Sequence, residues 1–315
     1  MTFAKLTAAL VAATLLVWSG AGAAAAIRVL FIGNSFTFAA GSAVRYYRAA
    51  TVTDLNGEGL GGVPALFESF TRQAGLDYDV SLETRGGSGL DFHLAEKAAV
   101  IRSRAWDKVV MHGYSTLDAA RPRDPARLIA TSGRMAALLR EKNPNVEIYL
   151  LATWSRADQI YPATGAWAGT AVDAMARDVR AAYDEAARAA AATAVIPVGE
   201  AWTRAMQTGI ADANPYDGVD AGKIDLWTYD HYHASTYGSY LEALVVFGSV
   251  TRRDPRSLGD AECSGFELGL SRQQVAALLQ VAFDQLAAGG TVTAVTSVAP
   301  AAAKADAPAR CPGGG

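Results

Sequence analysis

The sequence predicts a three-layer α/β/α sandwich on a flavodoxin-like, five-stranded parallel sheet. Five short apolar runs recur along the chain, and the segments between them carry apolar residues at three- and four-residue spacing. Strand–helix alternation of this kind implies parallel strands covered by helices on both faces. The residues suited to chemistry fall at the carboxyl ends of the apolar runs or in the loop before the penultimate helix, where open α/β sheets bind their ligands.

Taken in order, the predicted strands are 28–33 (RVLFIG), 78–83 (YDVSLE), 108–111 (KVVM), 146–152 (VEIYLLA) and 194–198 (AVIPV). The second is the weakest, because it alternates rather than running continuously apolar. The predicted helices are 63–73, 90–104, 125–142 and 168–192, followed by 235–250 and 271–286. Two segments look added to this frame: a glycine-rich excursion at 45–62 and a polar loop at 212–226.

The chain has 315 residues, 51% of them hydrophobic, which is enough for one large core. Its net charge is −3 and its charges are interspersed, so nothing supports a nucleic-acid partner, which needs a basic stripe. Lys5, the apolar stretch Leu6 to Trp18 and the small residues Ser19 to Ala26 read as an export signal over 1–26. The protein is therefore expected to be secreted or periplasmic, with no stable membrane span after cleavage, since no later stretch is apolar for long enough. A domain over 27–288 follows, then an Ala-, Pro- and Gly-rich tail over 289–315 that is expected to be disordered. An exported compartment permits a bridge between the two cysteines, Cys263 and Cys311, but the tail does not fix the position of Cys311, and the pairing stays open.

The strongest chemical signal is Phe31-Ile32-Gly33-Asn34-Ser35-Phe36-Thr37. A serine at a tight strand exit is lifted off the carboxyl edge of the sheet, where its hydroxyl and its own N–H can face one substrate. Alone, the pattern also suits an ordinary turn serine or helix cap. A nucleophilic serine needs a base, and the chain has four histidines: His93, His112, His231 and His233. Asp230 stands three residues before His233 in Asp230-His231-Tyr232-His233. That spacing lets the carboxylate curl back onto Nδ1–H and leaves Nε2 free for the serine proton. His231 has Thr228 at the equivalent position and is the weaker choice. Ser235 can cap the helix that follows, which would hold His233 rigidly.

These two blocks together resemble the first and last blocks of the SGNH/GDSL hydrolases, and the G-N-S-F-T wording with D-x-x-H-x-S resembles a secreted bacterial branch of that superfamily. The resemblance spans roughly Ile27 to Leu286. It implies a serine esterase with Ser35, His233 and Asp230 as the catalytic group, and no cofactor. It also implies two further oxyanion donors, a glycine and an asparagine, in later loops. In Thr84-Arg85-Gly86-Gly87-Ser88-Gly89 the best match is Gly87, with Gly86 and Gly89 as alternatives. The family's G-x-N-D is replaced by His112-Gly113-Tyr114-Ser115-Thr116. There Ser115, or alternatively His112, must stand in for the missing asparagine. His93 is assigned a structural role at a helix start.

On family analogy the substrate is a small-molecule or polysaccharide ester, with acetylated carbohydrate first. The rival is a weak or inactive carbohydrate-binding protein on the same fold. No metal site is assigned. Asp230, His231 and His233 lack a further histidine or cysteine ligand nearby, and Asp212, Asn214, Asp217 and Asp220 lack the spacing of a calcium loop.

Overall fold

The first strand shows why both faces of the sheet are covered. In β1 (Ile27–Gly33), Val29 and Phe31 enter one core and Leu30 and Ile32 the other, each at most 1% exposed. Successive side chains point to opposite faces, so a strand buried on both sides reads as an unbroken apolar run. The computed structural model describes residues 25–293 and residue 311. The expected signal segment up to residue 24, and residues 294–310 and 312–315 of the tail, lie outside the described residues.

The other strands are β2 (Thr53–Asp54), β3 (Tyr78–Thr84), β4 (Lys108–Met111), β5 (Glu147–Ala152) and β6 (Ala194–Pro197). All pair in parallel, in the order β2-β3-β1-β4-β5-β6. The sheet thus has six strands where the sequence predicts five. The extra one, β2, lies inside the excursion at 45–62 and pairs Thr53 with Ser81 and Asp54 with Leu82. Two residues carry no periodicity. What holds this edge is Asp54, whose carboxylate accepts from the backbone N–H groups of Asn56, Glu58 and Leu60.

Helices α1 (Gly62–Gln73), α2 (Leu90–Glu96), α3 (Ala98–Ile101), α4 (Ala126–Arg140), α5 (Ala157–Ile160) and α6 (Ala174–Ala190) precede α7 (Val198–Gln207). Helices α8 (Thr236–Thr251), α9 (Ser264–Glu267) and α10 (Arg272–Ala288) complete the set. One core is filled by α1, α7, α8 and α10, the other by α2, α3, α4 and α6, and α5 gives Ala157 to the first and Ile160 to the second. The helix expected over 90–104 is divided at Lys97, and that expected over 168–192 starts only at Ala174. Val198, expected to end the last strand, instead begins α7. No helix among the described residues is long and apolar enough to cross a membrane.

Strand order positions the site. After β1 the chain builds outward on one side (β3, β2), then crosses to build β4, β5 and β6 on the other. The carboxyl end of β1 is therefore a topological switch point, where the connections diverge and leave a crevice. Gly33 pairs with Thr84 and Ile32 with Met111, so the ends of β3, β1 and β4 lie level. The loops that leave them surround the residues just after Gly33.

The polar loop at 212–226 is closed by its own carboxylate: Asp212 accepts from the N–H groups of Asn214 and Asp220, each at 2.9 Å. The pairing left open by the sequence is made. Cys263 and Cys311 form a disulfide with Cα atoms 5.3 Å apart, and Cys311 is buried.

Candidate active site

The turn after β1 depends on Gly33. A Cβ there would lie 2.0 Å from Thr37 Oγ1 and 2.5 Å from His112 Nε2, so only glycine admits the close packing of these strand ends. The chain then folds over itself, with Phe38 N–H donating to Asn34 O at 3.2 Å and Ala40 N–H to Ser35 O at 2.9 Å. This lifts Ser35 above the sheet edge.

The second part of the site is a closed loop between the polar segment and α8. Thr228 N–H donates to His233 O at 2.8 Å, and Ser235 N–H donates to Leu226 O at 2.8 Å. Ser235 also caps α8, its Oγ accepting from Gly238 N–H. Within the loop, Asp230 Oδ1 accepts from Thr228 Oγ1–H at 2.6 Å and from the N–H groups of Tyr232 and His233, each at 2.9 Å. The other oxygen, Oδ2, accepts from His233 Nδ1–H at 2.6 Å. Burial pushes the Asp230 carboxyl up, but these four hydrogen bonds outweigh it and hold the group well below the usual carboxylate range. With Nδ1 protonated toward a fixed carboxylate, Nε2 offers a lone pair, and it lies 2.9 Å from Ser35 Oγ. The structure thus brings Ser35, His233 and Asp230 into one hydrogen-bonded chain.

His231, two residues away, is directed elsewhere. Its φ is +56°, and its ring packs on Tyr216 of the polar loop at 4.3 Å. That left-handed turn separates the two imidazoles of the D-H-Y-H segment.

A cleft of about 200 Å³ opens at the serine turn, lined by Asn34, Gly87, Ser115, Arg156 and Tyr232 among others. Of the three candidate glycines, Gly87 is the one that lines it. Its φ is +69°, which favours glycine, while a Cβ there would meet nothing within 4 Å. Gly87 is therefore needed for its backbone angle; the crowded position is Gly89, where a Cβ would lie 2.4 Å from Tyr114. The backbone N–H groups of Ser35 and Gly87 have no hydrogen-bond partner among the described residues.

No protein-family model matches the sequence, and no curated protein matches it. Solved structures do match the fold. A DUF4886 family protein from Bacteroides uniformis superposes with a TM-score of 0.60 at 19% identity, over 86% of this chain and 99% of that one. A protein from Parabacteroides merdae named as a GDSL-like lipase superposes with a TM-score of 0.51 at 14% identity, over 74% of this chain and 96% of that one. The chain has the SGNH hydrolase fold.

In the loop after β4, where the sequence has no asparagine, the two candidate donors separate. His112 is 2% exposed. Its Nδ1–H donates to Gly113 O at 3.0 Å, since a carbonyl can only accept, and Nε2 lies 2.7 Å from Thr37 Oγ1. Burial pushes its imidazole down to about 4, so the ring is neutral and Nε2 accepts from Thr37. Both ring nitrogens are thus engaged with protein groups, and His112 has no N–H left to direct into the cleft. Ser115 lines the cleft, and its Oγ accepts from Arg156 Nη1–H at 3.1 Å.

His93 sits in α2, fully buried. Nδ1 pairs with Glu83, and Nε2 lies 3.3 Å from Oγ of Ser88, which closes the Gly86-Gly87 turn by donating to Arg85 O. Its structural role is therefore to brace the loop that carries Gly87.

Sequence reasoning left Asn34 and Arg156 without roles. Asn34 Nδ2 donates to Ser88 O at 2.9 Å and to Gly113 O at 3.2 Å, while Oδ1 accepts from Phe36 N–H at 3.1 Å. One side chain thus ties the β3 and β4 loops to the serine turn. The G-N-S motif contained it, but its spacing gave no sign of those distant carbonyls. Arg156 is an isolated arginine after β5. Its only local signal is Asp158, two residues on, to which it is paired.

Proposed function

We propose that this protein is a serine esterase cleaving carboxylic esters. The observation that carries this reading is the unbroken chain from Ser35 Oγ through His233 to Asp230, at 2.9 Å and 2.6 Å. Ser35 Oγ attacks the ester carbonyl as His233 Nε2 takes its proton, and Asp230 holds the imidazole in the required tautomer and stabilises its cation. His233 then returns the proton to the leaving alcohol. Water, activated by the same imidazole, attacks the acyl-serine, and the acid leaves with Ser35 reprotonated. The oxyanion of each tetrahedral intermediate meets the N–H groups of Ser35 and Gly87, with Ser115 as the third donor.

The small, polar-lined cleft suits a short acyl group, so acetyl esters, including those of carbohydrates, are the first substrates to test. Export is proposed as well. The apolar stretch after Lys5 and the Cys263–Cys311 disulfide both support an oxidising, extracytoplasmic setting.

The test is labelling by a fluorophosphonate together with hydrolysis of p-nitrophenyl acetate. Wild-type protein should do both. Ser35→Ala should do neither, with a melting temperature within a few degrees of wild type, because only one hydroxyl and one hydrogen bond are removed. An unlabelled, inactive wild type would favour the rival reading, a binding protein on the hydrolase fold.

A further inference from the structure

Where the family pattern has an asparagine, Ser115 stands, and an arginine from a different strand end reaches it. Arg156 leaves the end of β5 with its side chain only 13% exposed. Nε donates to Asp158 Oδ1 at 2.9 Å and Nη2 to Asp158 Oδ2 at 2.5 Å, a bidentate pair. The guanidinium lies 3.5 Å over the ring of Tyr232, which in turn packs 4.0 Å from the His233 ring. With its edge held by a carboxylate and its face by an aromatic ring, the group has one freedom left, and it uses Nη1 to donate to Ser115 Oγ at 3.1 Å.

A hydroxyl has one proton and two acceptor positions. Arg156 fills an acceptor position, and no group among the described residues accepts the proton of Ser115. The O–H is free to turn into the cleft shared with Asn34, Gly87 and Tyr232. A hydrogen bond received from a cation polarises the hydroxyl and makes it a stronger donor.

We propose that Ser115, polarised by Arg156, supplies the oxyanion donor that replaces the asparagine, and that the Arg156–Asp158 pair is a positioning unit acting through it. This rests on the esterase reading above. The unit does more than fill a gap. Arg156 is joined to the histidine loop through Tyr232 and to the β4 loop through Ser115, so the donor and the base are aligned by one rigid group.

The test is a double-mutant cycle on the full chain with p-nitrophenyl acetate, the active sites being counted by fluorophosphonate titration. Ser115→Ala and Arg156→Met should each lower kcat tenfold or more with KM within about twofold, the mark of a donor used only in the transition state. The double variant should be no slower than the slower single one. Ser115→Asn brings its own amide donor and should make kcat insensitive to Arg156→Met. If Arg156→Met does not fold, Arg156→Lys serves: it keeps the charge but cannot hold Asp158 bidentately while reaching Ser115, and its loss should also vanish beside Ser115→Asn.

Multiplicative losses in the double variant, or a raised KM at unchanged kcat, would make Arg156 a direct substrate contact and overturn the assignment. So would wild-type kcat in the single variants. A wild-type protein that neither takes the label nor hydrolyses ester removes the esterase reading itself; a labelled, active wild type with unaffected variants removes only this inference.

Discussion

At the scale of single residues, the two imidazoles of Asp230-His231-Tyr232-His233 make opposite predictions. His233 joins Asp230 to Ser35, whereas His231 turns away at φ +56° against Tyr216. His233→Ala should lower kcat by a factor on the order of 10³ or more, as triad removals do, and His231→Ala by far less. Steady-state kinetics showing the reverse ranking would assign the wrong base to this site. Asn34 makes a subtler case, since it touches no reacting atom yet holds the carbonyls of Ser88 and Gly113 on either side of the serine turn. Asn34→Ala would leave those loops untied, and kcat should fall about tenfold or more through misplacement of Gly87 and Ser115. Asn34→Asp should be worse still, because a carboxylate would face two carbonyl oxygens. An Asn34→Asp variant as active as wild type would remove the tie from the mechanism.

At the scale of elements, what the sequence disclosed depended on length and on partners. Four of the five longer strands were legible because they are buried on both faces and so run continuously apolar, or nearly so, and β3 by its alternation, since only Val80 and Leu82 enter an apolar core. Strand β2 was not, since two residues held by Asp54 leave no pattern. Helix α7 was hidden because it begins at Val198, directly after the strand residue Pro197, and the shared apolar run reads as one element. In the site, Asp230 and His233 were legible because their partnership is local, three residues apart. Arg156 was not, because its target, Ser115, lies 41 residues away and only the level ends of β4 and β5 bring them together. The Cys263–Cys311 bridge belongs to the same class of long-range fact, with a sequence separation of 48. Closing a loop of that length is worth at most about 4 kcal/mol by chain entropy. Cys311→Ser should therefore lower the melting temperature and abolish its sensitivity to reductant. A wild-type protein that melts identically with and without dithiothreitol would show that the bridge contributes nothing.

At the scale of the whole molecule, two buried groups tilt stability in opposite directions with pH. Burial pushes His112 down from 6.5 to about 4. As pH falls below about 6.5 the unfolded chain takes up this proton and the folded chain does not until about 4, so stability is lost across that window. Glu242 lies in α8 at 1% exposure, with its Oε2 unpartnered among the described residues, and burial raises its carboxyl well above 4.5. Below about 4.5 both states hold that proton. Above it the unfolded chain releases the proton and the folded chain keeps it, so stability falls as pH rises, by about 1.4 kcal/mol per pH unit until the folded group ionises. Glu242→Gln keeps the shape and removes the titration. Its melting temperature should exceed that of wild type by a margin that grows from pH 5 to pH 8, while His112→Asn should instead flatten the decline between pH 6.5 and pH 4. Thermal melts of the three proteins across that range measure both slopes. A Glu242→Gln margin that stays constant with pH would mean that the carboxyl titrates alike in the folded and unfolded chains, and that its burial in α8 carries no electrostatic cost.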